Sequence, residues 1–208
     1  MNDFEKSRIE ELVTRQTDEW KNTKDQGSTK ADLAQLRRDV GKSFEEAQNS
    51  WPIIMNQLSS WFFPQYDRNQ SILPATSQMK AVYYALSLFA VHNQGWKANV
   101  RLKPEKDPSF GEALYLWVQG SEENEARLMK RLGILLSQKD MEGVYAKIRP
   151  IISLLKSKKI ALDYSKMASD FYLCRSQRGI KSVTFRWMSD YYFTKNTQNK
   201  QKEKKNEE

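Results

Sequence analysis

The 208-residue chain has one cysteine, one histidine, eight glycines and six prolines. A single Cys174 excludes an internal disulfide and places the protein in a reducing, cytoplasmic setting. With His92 the only imidazole, a His/Cys zinc site would have to be completed almost entirely by carboxylates, so no metal and no cofactor are expected. There is no GxxxxGK[ST] phosphate loop and no glycine-rich strand-to-helix turn. A general base at His92 would need a nucleophile and an oxyanion or phosphate clamp beside it. Nothing in the sequence marks either, so no catalytic residue is assigned and the chain is read as a non-enzyme. No apolar run reaches membrane-spanning length. The opening MNDFEKSRIEELV is amphipathic and partly acidic, without a signal-peptide core. Alternation of period two, internal repeats and sustained heptads are absent as well.

What is present is helical periodicity and positive charge. Residues are 39% hydrophobic and 12% aromatic, enough to fill a core at a mean hydropathy of −0.77. Lys and Arg exceed Asp and Glu by 34 to 26, a net charge of +8, which favours a polyanionic partner over a membrane.

Helical stripes run along the chain. Ile9, Leu12, Val13 and Trp20 share a face. In KADLAQLRRDVGKSF, Leu33, Leu36 and Val40 recur at helical spacing, Ser28 or Thr29 is placed to cap, and Gly41 to stop. That short helix ends in Arg37, Arg38 and Lys42. Ser50-Trp51-Pro52 opens a further helix, with Pro in the tolerated first turn, and WPIIMNQLSSWFFP reads as deep core. Thr76 caps a long helix with Val82, Leu86, Phe89 and Ala90 inward, ending before Gly95. Residues 95–109 are the longest irregular stretch. Ser109 and Ser121 cap the next two helices, the second with Glu122 and Glu123 in its first turn, where carboxylates suit the dipole. Val144, Ile148, Ile151, Ile152 and Leu155 form a stripe that Pro150 should kink or split. Ile180, Val183, Thr184, Trp187 and Tyr191 form the last. The pattern predicts an all-α protein of two helical bundles, residues 1–120 and 121–194, with a disordered Lys/Glu-rich tail at 195–208. His92 is read as a packed helix-end residue and Cys174 as a buried thiol. The aromatic runs Trp61-Phe62-Phe63 and Tyr191-Tyr192-Phe193 are read as core rather than as base-stacking platforms.

The remaining signal is cationic. Arg127, Lys130 and Arg131 fall on one helix face, Lys156, Lys158 and Lys159 cluster at a helix end, and Arg175, Arg178 and Lys181 surround the last interhelical turn. Lys and Arg without a base-reading motif point to backbone phosphates and little sequence preference.

Six segments occur in a telling order: ADLAQLRR, LFAVHNQG, SFGEALYL, EARLMKRLGILLSQKDMEGVYAKIRPIISLLKS, ALDYSKMASDFYLC and VTFRWMSDYY. Over roughly residues 28–193 this succession resembles the CasB family, the small subunit of the type I-E CRISPR surveillance complex Cascade. The resemblance implies a non-enzymatic, two-bundle α-helical protein, present in two head-to-tail copies along a crRNA-bearing filament. It implies as partners the backbone and large Cascade subunits, crRNA, and target DNA including the displaced strand. By position, Leu36-Arg37-Arg38 matches the family's Leu-Arg-Arg, Arg127, Lys130 and Arg131 its basic helix, and Arg149 its second basic run. Pro150 departs from the pattern. The competing reading is a helical protein–protein scaffold without direct nucleic-acid contact.

Overall fold

A computed structural model describes residues 3–63, 75–95 and 107–206. Among them are nine α-helices and no strand: α1 (Asp3–Asn22), α2 (Gly27–Asp39), α3 (Trp51–Met55), α4 (Ser77–His92), α5 (Phe110–Val118), α6 (Glu122–Leu135), α7 (Met141–Ser157), α8 (Tyr164–Leu173) and α9 (Gln177–Asn206). Single 3-10 turns occupy Gln48–Ser50 and Ser60–Phe62. No helix of the described residues is long and apolar enough to cross a membrane.

The all-α class is as the periodicity predicts. α4 is apolar on every side, and every residue from Ala81 to Ala90 is buried. A helix of that kind belongs at the centre of a core. Helices α1, α2, α7 and α8 pack around it, while α5 lies along α9 and touches α6 and α7. The apolar core runs without interruption through both halves of the chain. A cut at Gly120 therefore divides the sequence without dividing the packing, because α8 lies on α1 and α4.

Several local expectations are met. The hydroxyls of Thr76, Ser109 and Ser121 accept from the amides of Met79, Glu112 and Asn124, and the Glu112 carboxylate accepts in return from Ser109 N at 2.6 Å. Others need correction. α2 begins at Gly27 without a side-chain cap, and the Thr29 hydroxyl turns instead to Thr23 Oγ1 at 2.7 Å. The stretch from Trp51 is broken after five helical residues, and of its described residues only Ile54, Leu58 and Phe62 are buried. α7 runs through Pro150 unbroken. Both Pro150 and Ala146, whose carbonyl loses its amide partner, face solvent, so water can take that bond. The tail read as disordered is helical as far as Asn206. It contains no Gly or Pro after Tyr191, is rich in the good helix formers Lys and Gln, and extends a helix already nucleated on the core. Lys195 ties it to Glu125 of α6 at 2.7 Å. Most of the 95–109 segment lies outside the described residues. Its end, Asp107–Ser109, is anchored by Lys21 Nζ to Asp107 and by Asp163 N to the Pro108 carbonyl.

Candidate nucleic-acid interface

α2 ends in a turn that a buried carboxylate organises. Asp39 accepts from Lys42 Nζ and from Ser50 Oγ, both at 2.7 Å, while its carbonyl accepts from the Tyr83 hydroxyl at 2.8 Å. Burial pushes the Asp39 carboxyl up, but the hydrogen bonds from Lys42 and Ser50 with the Lys42 charge outweigh it and hold the group below its ordinary value. Its ionic partner is Lys42, not a neighbouring arginine.

The next residue but one, Gly41, has φ +96°, and Tyr145 of α7 accepts its amide N–H at 3.1 Å. Tyr145 also hydrogen-bonds Ser87 of α4 at 3.0 Å and stacks on Tyr84 with centroids 4.3 Å apart. This joins α2, α4 and α7 rigidly. Across the junction Arg149 of α7 lays its guanidinium against Gly41, so closely that a Cβ there would sit 2.6 Å from Nη1. Glycine is needed both for its left-handed backbone and for this approach.

Arg37 is half-buried rather than held outward. Its Nη1 reaches the Ala90 carbonyl at the end of α4, at 3.4 Å. Arg38 projects into solvent beside it. Lys156, two turns after Arg149 on α7, donates to Gln94 Oε1 at 3.0 Å. Burial lowers the pKa of both Arg37 and Lys156, and the Arg37 charge lowers Lys156 further. Two cations from distant parts of the chain thus converge at the end of α4, and no carboxylate of the described residues pairs with either. The structure brings together Arg37, Arg38, Lys42, Arg149 and Lys156, of which Lys42 alone is neutralised.

The other predicted cations stand on different elements: α6, the turn between α8 and α9, and the first turns of α9. Arg127 is paired with Glu123 at 2.5 Å on the exposed side of α6, where Lys130 and Arg131 are also exposed. Arg175 lies over the Tyr172 ring, 3.9 Å from its centroid, and donates to the Tyr172 carbonyl. Arg178 and Lys181 are exposed on the first turns of α9. Sequence reasoning missed Gln94, Tyr145 and the role of Gly41 toward Arg149. None of the three carries a local signal, since each acts on a residue far away in sequence.

His92 and Cys174 are both enclosed. His92 Nδ1 lies 2.9 Å from the Tyr164 hydroxyl, and burial brings its pKa down to about 4, so the ring is neutral at pH 7. Burial pushes the Cys174 thiol up to about 12. No group of three or more His, Cys, Asp or Glu residues is arranged to hold a metal among the described residues.

The family model for the CRISPR-associated protein Cse2 matches residues 32–192. No curated protein matches the chain. Among solved structures, CasB from Thermobifida fusca superposes with a TM-score of 0.62 at 22% identity, over 90% of this chain and 97% of that one. A Cse2-family protein from Thermus thermophilus gives 0.59 at 18% identity, over 90% and 97%. A chain of a CRISPR RNA-guided surveillance complex gives 0.66 at 18% identity, over 95% and 98%. The fold is shared with all three, and the match over residues 32–192 means that the chain belongs to the Cse2 family of CRISPR-associated proteins.

Proposed function

We propose that this protein is the non-catalytic small subunit of a type I-E Cascade complex. It grips the sugar–phosphate backbone of guide–target nucleic acid and of the displaced strand, and so stabilises crRNA-guided DNA binding. The observation that carries the reading is the convergence of Arg37 and Lys156 at the end of α4, flanked by Arg38 and Arg149, with no carboxylate of the described residues paired to Arg37 or Lys156. Like charges held together on a rigid base are relieved by an anion, and guanidinium forks suit phosphate. Phosphate contact of this kind positions a strand without reading its sequence. The resemblance to a chain of an RNA-guided surveillance complex supports the setting. The backbone and large subunits, crRNA and a second copy of this chain are proposed as its partners, in the cytoplasm. Arg127, Lys130, Arg131, Arg175, Arg178 and Lys181 are proposed as outlying phosphate contacts.

The test is Arg149→Glu with Lys156→Glu in the complex assembled with the other subunits and a crRNA. Incorporation should be normal and target DNA binding should fall, most at low salt, where screening is weakest. Failure to assemble, with free nucleic acid bound normally, would favour the scaffold reading for this surface.

A further inference from the structure

Large apolar side chains exposed among the described residues concentrate on two helices. Phe185, Tyr192 and Phe193 of α9 are 74%, 41% and 74% exposed, and Ile134 and Leu136 at the end of α6 are 44% and 43% exposed. Two contacts set the register. Lys195 Nζ bonds Glu125, and the Tyr192 hydroxyl lies 4.0 Å from Met129 Sδ, so α9 runs antiparallel to α6. Seven residues before Tyr192 on the same stripe stands Phe185, and seven after Met129 stands Leu136. Two helical turns, about 10 Å, separate the levels. The α6/α9 seam therefore carries Tyr192 with Met129 at one level and Phe185 with Leu136 at the next. Gly133 lies between Met129 and Leu136, and its side-chain position opens onto empty space, so no side chain covers the seam there.

The unpaired charges next to Phe185 are positive. Lys181 sits one turn before Phe185 on the same stripe and Arg178 a turn earlier, and no carboxylate of the described residues pairs with either. On the α6 stripe that runs through Met129, Glu125 is held by Lys195, and Glu122 stands a turn before it, at the end away from Phe185. Exposed aromatic faces bordered by unpaired cations match a polyanion that carries flat π surfaces. A protein partner would be matched better by a bare apolar strip with mixed charge at its rim.

We infer that the α6/α9 seam is a base-stacking site for single-stranded nucleic acid, with Phe185 and Tyr192 as platforms and Arg178 and Lys181 as phosphate contacts. It lies apart from the α2/α4/α7 surface and adds a contact that the backbone reading lacks. It rests on that reading only in taking nucleic acid as the partner. Stacking tolerates any base and depends on its presence.

The test uses the full chain, with fluorescence anisotropy on labelled oligo-dT, oligo-rU and an abasic strand of equal length. Phe185→Ala with Tyr192→Ala should weaken binding of the base-bearing strands about tenfold or more and leave the abasic strand unchanged. Phe185→Ala alone, at a ring already mostly in solvent, should give part of the loss without altering the melting temperature. A loss confined to DNA or to RNA supports the site and names its source. An equal loss on the abasic strand, or none on any, overturns it. So does unchanged binding accompanied by altered sedimentation or failure to enter the complex, which would make the seam a protein interface. Reversal of Arg37, Arg38, Arg149 and Lys156 to Glu should weaken all three strands alike. If that variant binds normally, the phosphate surface fails, while the difference between base-bearing and abasic strands still reads the seam.

Discussion

Replacing Arg37, Arg38, Arg149 and Lys156 together with Ala removes four cations from one surface, and the salt dependence of binding should record the number. For a single strand, log K falls with log salt with a slope of about 0.7 per phosphate neutralised. If each cation meets one phosphate, the slope should flatten by about 2.8. Over a roughly fourfold rise in salt, from about 50 to 200 mM, that removes about 1.7 log units of sensitivity, close to fiftyfold in Kd. The fold should survive. Arg38 and Arg149 are exposed, and the Ala90 carbonyl that Arg37 reaches lies at a helix end that water can serve. Surface changes of this kind usually move stability by about ±0.5 kcal/mol each. The assay is anisotropy at several salt concentrations, with thermal unfolding as the control. A variant with unchanged slope and melting temperature would refute the reasoning, because the four cations would then face no phosphate. A smaller drop, of about 1.4, would mean that two of the four are in contact.

Two further outcomes test how the helices are held together. Gly111→Ala should destabilise by about 2 kcal/mol in urea unfolding, since the added methyl would overlap the Trp187 carbonyl of α9 and outweigh a helix-propensity gain of under about 1 kcal/mol; unchanged stability would show that α5 and α9 can part freely. Asp39→Ala strips a buried acceptor from Ser50 and the partner from Lys42, and should cost about 1–3 kcal/mol. Because the Asp39 pKa is held below the ordinary 3.8, its charge-linked stability is present above that value and is lost as pH falls through the folded-state pKa. The gap between wild type and Asp39→Ala should therefore be flat near neutrality and narrow only in acid; a gap that varies between about pH 5 and 8 would contradict the assignment.

Much of this architecture is legible along the chain because it depends on neighbours. Stripes such as Val144, Ile148, Ile151 and Leu155 are all buried, and the caps at Thr76, Ser109 and Ser121 form as their spacing predicts. Composition misleads where it stands in for geometry. WPIIMNQLSSWFFP is apolar enough for deep core, yet its turns leave Phe63 in solvent. The tail lacks apolar residues, yet Lys195 pins its start to α6 and the helix simply continues. Aromatic runs behave likewise: Tyr191 is buried and its neighbours Tyr192 and Phe193 are not, so one triplet serves both core and surface. The cationic site was legible only in its parts. Arg37 and Lys156 are separated by most of the chain, and only the packing of α2 and α7 about α4 brings them together.

That packing also explains how unpaired cations can gather in the free protein. Helix C-termini carry partial negative charge, and both α2 and α4 end at this surface. Arg37, Arg38 and Lys42 lie in or just past the last turn of α2. Arg37 reaches a carbonyl at the end of α4, and Lys156 reaches Gln94 just beyond it. The depressed Lys156 pKa records burial first and the Arg37 charge second, and the helix ends offset part of that repulsion. On the proposed function, the same carbonyls would compete with an arriving phosphate, which would have to draw Arg37 away from Ala90 or share it. Each contact is therefore modest and readily screened, and strong retention of a strand requires many contacts along it at once. On the proposed function, such a subunit would gain its grip when other binding surfaces hold the same nucleic acid in register, since each contact would then add to an already localised strand.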